Sequence, residues 1–569
     1  MTIRWIRTKT STLPVSRRTR TSWPRFPVSS GPAGGPPGRG HESQDAGRRP
    51  RKEKSMDRRD FLKSLGLGAP ALAFPPAKNA GGDLAPPEKR PHIVIIMADD
   101  MGLGDPGCYN PGSLIPTPHM DRIATEGTKF TDAHSPASMC TPTRYSLLTG
   151  RYPWRTRLKK GVLMPYWLPL IESSRLTLGS LLRSRGYGTA YIGKWHLGLE
   201  WKTKDGSRAE NYYNQDKVFQ TDETLQWGVD FSQPVGGGPT RLGFDYFYGN
   251  AGCPSNDPPY VFIEDDRLVA VPTKMSKEEW RGLPGFLPGP MADDWSEEDI
   301  DVILAGKAQA AIDRHLRQRP NDPFFLVVSP NSPHIPWLVP EFMKGRSKEG
   351  PRGDLVALFD WVVGEVDAHL RKRGISENTL LIVTSDNGGQ KGANGHKSAL
   401  DFRGYKSDIW EGGHRVPFIV RWPGKIKPGA VSGELVSLGD MWATFADLVG
   451  APLPDNAAED SWSVLPALLG KSQGQPLQEA LIFQAGNGDL AIRQGRWKFI
   501  AAKQEGGSGQ LYDLDADPGE TRDLAADNLP IVAALSALLD KYRRQGFSRP
   551  IKPSRSHPRA HPGSPGKTA

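Results

Sequence analysis

The chain has 569 residues, enough for one large α/β domain and a smaller one, and 37% of its residues are hydrophobic, an ordinary share for a globular body with polar ends. Its net charge of +10 falls wholly in residues 1–55, which hold 13 Lys and Arg against 3 Asp and Glu, and the rest carries 60 of each sign. The neutral body therefore gives no overall electrostatic reason to bind nucleic acid.

Residues 1–55 are rich in Arg, Pro, Ser and Gly, show no helical or strand period, and read as a disordered basic leader, an over-extension of the gene ahead of the true start. A second start at Met56 opens MDRRDFLKSLGLGAPALAFPPAKNA. There the pair Arg58–Arg59 precedes an apolar stretch too short to span a membrane, so residues 56–80 resemble a twin-arginine signal peptide and predict export to the periplasm or the medium. The competing reading is a basic tail with an incidental arginine pair. No other segment is long and apolar enough for a membrane span, so an integral membrane protein is not expected.

From residue 88 to about 470 short apolar runs alternate with amphipathic stretches. HIVIIMADD (92–100), YGTAYIGKWHLG (187–198), FFLVVSPNSPH (324–334) and TLLIVTSDNGG (379–389) each end in polar groups. Leu355, Leu358, Phe359, Val362, Val363, Val366 and Leu370 make one apolar helical face. Apolar strands alternating with helices predict a large, mostly parallel sheet covered on both faces, with ligands at the carboxyl ends of its strands. Residues 475–548 change texture to short strands and a helix near 528–545, which predicts a small C-terminal antiparallel sheet with a helix. Residues 549–569 are basic and Pro-rich and read as a disordered tail.

The chemistry-bearing residues sit at those strand ends. Asp99 and Asp100 are either a solvated pair or ligands of a divalent cation, for which hard oxygen donors suit Ca²⁺ or Mg²⁺; Asp386 and Asn387 repeat the form and favour the metal. Lys194 and His196, two apart on an extended segment, point the same way. His334 lies in a loop set by prolines and Lys406 in RGYKSDIWEGGHRVPFIVRWPG, a loop entering a strand at Val416; singly, each reads as a structural His or a solvated Lys. In SPASMCTPTRYSLLTG (135–150), Thr141 can cap a helix with Pro142 at its first position and Gly150 at its end. That sets the Cys140 thiol beside a helix N-terminus with Arg144 one turn on. Cys140 is then either a small buried residue or part of an anion site. Together these groups suit an oxyanion ester. Cys108, Cys140 and Cys253 form no C-x-x-C pair, which argues against a disulfide framework or a cysteine zinc site; one disulfide stays open if Cys140 is left out.

Cys140-Thr-Pro-Thr-Arg144 followed by Leu147-Leu148-Thr149-Gly150 resembles the C-x-P-x-R signature of the formylglycine-dependent, arylsulfatase-like sulfatases of the alkaline phosphatase superfamily. The likeness runs over about residues 90–525 and includes IIMADDMGLGD, YIGKWHLG, PHIPW, VTSDNGG, WEGGHRVPFIVRWPG and LYDLDADPGETRDLA in the expected order; Thr143 stands where many members have Ser or Ala. The resemblance implies hydrolysis of a sulfate ester of a carbohydrate or an aryl alcohol. It implies oxidation of Cys140 to Cα-formylglycine by a separate maturation enzyme. One hydroxyl of the hydrated aldehyde would attack sulfur and the other would expel sulfate. It implies one Ca²⁺ held by Asp99, Asp100, Asp386, Asn387 and modified Cys140. Arg144 would orient the modified residue, Lys194 and Lys406 would bind sulfate oxygens, His196 would act as general base and His334 would serve the departing alcohol. The rivals are a phosphatase or phosphodiesterase of the same superfamily and a non-catalytic carbohydrate-binding relative. Loops 200–240, 250–298 and 390–405 are expected to set specificity. Asn256 and Asp257 read as a turn rather than sugar contacts, and Trp201, Trp227, Trp280 and Trp295 as sugar platforms or as packing.

Overall fold

The computed structural model describes residues 89–207, 209, 223–472, 474–502 and 507–551. The expected leader (1–55), the signal peptide (56–80) and the tail from 552 on lie outside these residues.

Ten strands form the main sheet among the described residues. In chain order they are β1 (His92–Ala98), β2 (Thr128–Phe130), β3 (Gly188–Lys194), β4 (Tyr246–Asn250), β5 (Ile263–Glu264), β6 (Arg267–Leu268), β7 (Phe324–Ser329), β8 (Thr379–Ser385), β9 (Phe418–Arg421) and β10 (Ala430–Ser432). Their order across the sheet is β10-β2-β9-β8-β1-β7-β3-β4-β5-β6. The central five, β8, β1, β7, β3 and β4, run parallel. Antiparallel neighbours β9 and β5 flank them.

The parallel strands β1, β7, β8 and β4 are buried throughout, and β3 is buried except at the half-buried Ala190, because both faces are covered. Along β1, Ile93, Ile95 and Met97 pack with Leu147 and Leu148 of helix α2 (Cys140–Thr149), Leu178 and Leu182 of α3 (Leu178–Ser184) and Phe445 of α6 (Met441–Leu448). Val94, Ile96 and Ala98 point the other way. They meet Ile123 of α1 (Pro118–Glu126), Leu304 and Ile312 of α4 (Ile300–Gln318), and Phe359 and Val363 of α5 (Pro351–Lys372). All seven apolar residues expected on the α5 face are buried. The four polar strand ends predicted from sequence, those of β8, β1, β7 and β3, thus become one rim, and β4 extends it.

A second sheet holds β11 (Leu481–Gln484), β12 (Leu490–Gln494), β13 (Trp497–Ile500) and β14 (Gln510–Asp513), all antiparallel. One face carries α7 (Leu529–Gln545) through Leu535, Leu539 and Tyr542. The other face packs Leu481, Phe483, Ile500 and Tyr512 against Ile409 and Trp410, directly behind the loop that bears Lys406. Lys498 of β13 reaches Glu411 at 3.1 Å and Glu520 at 2.9 Å, and its ammonium donates to His414 Nε2 at 3.0 Å.

Three expectations change. The helix of the signature starts at Cys140 with Met139 as N-cap, so Thr141 does not cap it and Pro142 is its third residue. None of the first N–H groups has an intrahelical partner, so proline costs nothing there either. Gly150 does end it, at φ 64 with its N–H on Ser146 O. The strand after the Lys406 loop begins at Phe418, not Val416, because a short turn of helix (Glu411–His414) intervenes. The disulfide left open is absent, since all three cysteines are free. The tryptophans pack: Trp201 lies edge-on to Tyr166 and Phe231, Trp227 edge-on to Phe231, and Trp280 and Trp295 close around Tyr260. Residues 253–257 form the expected turn, with Asp257 Oδ2 accepting the Cys253 N–H at 2.8 Å.

Candidate active site

Cys140, at the first position of α2, is buried against the rim. Its thiol donates to His196 Nδ1 at 3.3 Å. His196 Nε2 donates to Leu163 O at 3.1 Å, which leaves Nδ1 as the acceptor in the neutral ring. The Thr141 hydroxyl, free of capping, donates to His196 O at 3.0 Å and so ties the helix start to the end of β3. The extended-segment argument for Lys194 and His196 gives way to a different geometry. His196 has φ 53, in the left-handed region, and both side chains still reach the rim. Asp100 (φ 73) and Ser407 (φ 78), the latter next to Lys406, share that strained region, which tertiary packing has to hold.

Arg144 spans the floor. Its Nε and Nη2 both donate to Asp386 Oδ2, at 3.0 and 2.7 Å, and Nη1 donates to Lys194 O at 2.9 Å and Ser329 Oγ at 2.5 Å. Burial works against its charge, yet Asp386 outweighs it and raises the pKa. Lys194 Nζ donates to Asp99 Oδ2, and Lys406 Nζ to Asp100 Oδ2 at 2.7 Å. In both lysines burial opposes the charge and the carboxylate overcomes it, so both pKa values rise. Asn387 Nδ2 also donates to Asp100, at 2.8 Å. His334 donates Nδ1–H to Ile335 O at 2.6 Å and turns Nε2 to within 3.8 Å of Asp100 Oδ2; burial, then Lys406, lowers its pKa. The ten residues singled out in the sequence thus converge on one rim.

Two residues there were not foreseen. Gln390 Nε2 donates to Asp100 Oδ2 at 3.1 Å. Cys253, three residues past β4, lies with Sγ 3.8 Å from His196 Nδ1 and 3.7 Å from His334 Nε2. The rule that found the others, polar groups just beyond a parallel strand, applies to FDYFYGNAGC as well, but its aromatic strand was not read as one. The two thiols divide their charge: a hydrogen bond from Cys253, helped by Lys194 and His196, lowers the Cys140 pKa, while burial raises that of Cys253.

A cation fits beside Cys140. Asp99 Oδ1 and Asn387 Oδ1 are buried and have no hydrogen-bond partner among the described residues. Ligand atoms of Asp99, Asp386 and Cys140 lie within 4.8 Å of one another. Burial and then the Asp99 charge push the Asp386 pKa up, against the opposing pull of Arg144. Oxygen donors of this kind suit Ca²⁺ or Mg²⁺. A tight group away from this rim, His134, Glu411 and His414, is already served by the Lys498 ammonium.

The sulfatase family profile matches residues 91–451, and a profile described as the C-terminal part of N-sulphoglucosamine sulphohydrolase matches 405–545. An N-acetylgalactosamine-6-O-sulfatase of Bacteroides thetaiotaomicron is 32% identical over 80% of this chain and 93% of its own. Human arylsulfatase A is 33% identical over 76% and 83%. A solved structure from work on glycosaminoglycan metabolism by Bacteroides thetaiotaomicron superposes with a TM-score of 0.68 at 32% identity, over 80% of this chain and all of that one. With the strand-end rim, the signature helix and these relatives in agreement, the chain belongs to the sulfatase family, hydrolases of sulfate esters within the alkaline phosphatase superfamily.

Proposed function

We propose that the protein is an exported, formylglycine-dependent and Ca²⁺-dependent sulfatase acting on a sulfated carbohydrate. The observation that carries this reading is the Cys140 thiol at a helix N-terminus, 3.3 Å from a bare imidazole nitrogen and grouped with Asp99 and Asp386.

Asp99, Asp100, Asp386 and Asn387 would hold Ca²⁺ together with modified Cys140. Oxidation of Cys140 would supply a hydrated aldehyde with one hydroxyl to attack sulfur and one to release sulfate, and Ca²⁺ would supply the charge that acidifies the first. The remaining steps belong to the side chains. Arg144, anchored on Asp386, orients residue 140. Lys194 and Lys406 hold sulfate oxygens as fixed, buried charges. His196 takes a proton at Nδ1, its ring locked by Leu163 O. His334 faces the departing oxygen through Nε2, and the negative charge of a bound sulfate ester favours its protonated form. Three carboxylates (Asp99, Asp100, Asp386) already balance three cations (Arg144, Lys194, Lys406). A divalent cation added with a singly charged ester and one ionised hydroxyl keeps that balance.

The substrate class follows from the galactosamine-sulfatase relative, and aryl sulfates are the second choice. Export is assigned to the Arg58–Arg59 signal and the twin-arginine machinery, and oxidation of Cys140 to a separate maturation enzyme. No helix among the described residues is long and apolar enough to cross a membrane. The test is the mass of the tryptic peptide Phe130–Arg144 from natively produced protein, followed by turnover of N-acetylgalactosamine 6-sulfate, its 4-sulfate and an aryl sulfate. An aldehyde at Cys140 with sulfate release from a sugar supports the proposal. An intact thiol with no turnover defeats it, and turnover of the aryl ester alone shifts the substrate class.

A further inference from the structure

We propose that the chain, before Cys140 is modified, carries a zinc site made of Cys140, Cys253 and His196. These residues come from three places, the start of α2 and the loops after β4 and β3, and all are buried. No spacing motif marks them in the sequence.

The geometry is that of a thiolate–imidazole site. One nitrogen, His196 Nδ1, faces both sulfurs, at 3.3 Å from Cys140 Sγ and 3.8 Å from Cys253 Sγ. The three ligand atoms all lie within 4.8 Å of one another. Zinc bonds of about 2.3 Å to sulfur and about 2.0 Å to nitrogen, in a tetrahedron, put the ligand atoms roughly 3.6 Å apart. The observed distances bracket that value, so small rotations of the side chains admit the ion. His196 is already prepared as a ligand, because Nε2–H donates to Leu163 O at 3.1 Å and leaves Nδ1 bare. A backbone carbonyl on the second nitrogen is the usual support of a metal-bound histidine. Two thiolates and an imidazole select a soft, tetrahedral ion over Ca²⁺ or Mg²⁺. Binding releases the two thiol protons and leaves a further position open for water.

Cys140 belongs to two groups at once, this one and the group with Asp99 and Asp386. The atom borne at position 140 decides which group is complete. Sulfur completes the soft set, and an oxygen-bearing residue 140 would leave it with one thiolate and extend the hard set. The site itself stands on the unmodified chain, and only its loss on maturation rests on the formylglycine reading.

The experiment uses the untagged full chain made without the maturation enzyme, reduced, freed of metal, and shown by peptide mass to hold a thiol at 140. Anaerobic titration with Co²⁺ is expected to give an intense near-ultraviolet sulfur-to-cobalt band that saturates at one equivalent and is erased by one equivalent of Zn²⁺. Cys253→Ser is expected to weaken Co²⁺ binding at least about tenfold, consistent with the loss of one ligand. Cys108→Ser, which lies outside the group, is expected to leave it unchanged. The aldehyde form of the unaltered chain is expected to give no such band, and this comparison decides the matter if Cys253→Ser does not fold. Cobalt bound without the sulfur band, no binding, or a band of unchanged affinity and intensity in Cys253→Ser overturns the proposal. Failure of native protein to form the aldehyde would remove the formylglycine reading and leave the cobalt result on the thiol form standing.

Discussion

Arg144 is the residue on which the floor of the site depends, because its one guanidinium joins α2, β8, β3 and β7 through Asp386, Lys194 O and Ser329. A lysine keeps the charge but not the fork. Arg144→Lys is expected to lower kcat/KM on the order of 10²-fold, as loss of a preorganised donor does. It should also cost about 2 kcal/mol of stability from the lost charge-assisted bonds, read by steady-state kinetics and denaturant unfolding. The carboxylates give a second prediction at this scale. Exhaustive chelation should abolish activity and lower Tm, because Asp99 Oδ1 and Asn387 Oδ1 are left buried without a partner, and Ca²⁺ should restore both. Full activity in protein shown to be metal-free would remove the cation from the proposed mechanism.

Gly193 decides whether β3 can deliver Lys194. It sits at φ 114, and a Cβ there would stand 2.0 Å from Ser329 O on β7. Gly193→Ala combines a disallowed backbone with a backbone clash and is expected to cost about 3 kcal/mol or more, with activity lost in proportion to the displacement of Lys194. Gly306, exposed on α4 with open space around it, provides the contrast. Gly306→Ala is expected to stabilise by about 1 kcal/mol through helix propensity alone. Thermal unfolding of the pair, with kinetics, separates strain at the rim from mere replacement of a glycine. The left-handed residues Asp100, His196 and Ser407 belong to the same scale. The segments that carry the chemistry are bent out of regular structure, and the strands behind them are regular.

At the scale of the whole molecule, acid stability should report His92. Burial, followed by the nearby His315, lowers its pKa from 6.5 to about 4. Its Nδ1 accepts the Phe324 N–H at 3.2 Å and its ring lies on that of Phe324. The unfolded chain therefore binds a proton that the folded chain refuses between pH 6.5 and 4. The stability is present in full above pH 6.5 and is lost as pH falls toward 4, by about 3 kcal/mol. His92→Asn should flatten the fall of Tm across that window relative to the parent, and parallel curves would contradict the assignment. The seam between the two sheets makes a second demand. Lys498→Met leaves Glu520 buried without its lysine and Glu411 with Arg415 alone, and is expected to cost about 3 kcal/mol or more, read by denaturant unfolding. Activity should fall with it, since this seam backs the Lys406 loop.

Local patterns in the sequence determined the fold class, the parallel strands with polar ends, the α5 face and the small C-terminal sheet, and the family resemblance picked out the ten residues that meet at the rim. They did so because apolar runs, helical periods and strand-end carboxylates are written in neighbouring residues. The helix start at Cys140, the left-handed turn at His196, the packed tryptophans, and Gln390 and Cys253 beside the site came only from the tertiary structure. Each depends on what lies across the sheet. Thr141 gives up its capping role because His196 O is within reach, the tryptophans pack because Phe231 and Tyr260 face them, and Cys253 meets Cys140 because β4 runs parallel to β3. Residues far apart in the chain carry no shared period, so only the folded sheet brings their chemistry together.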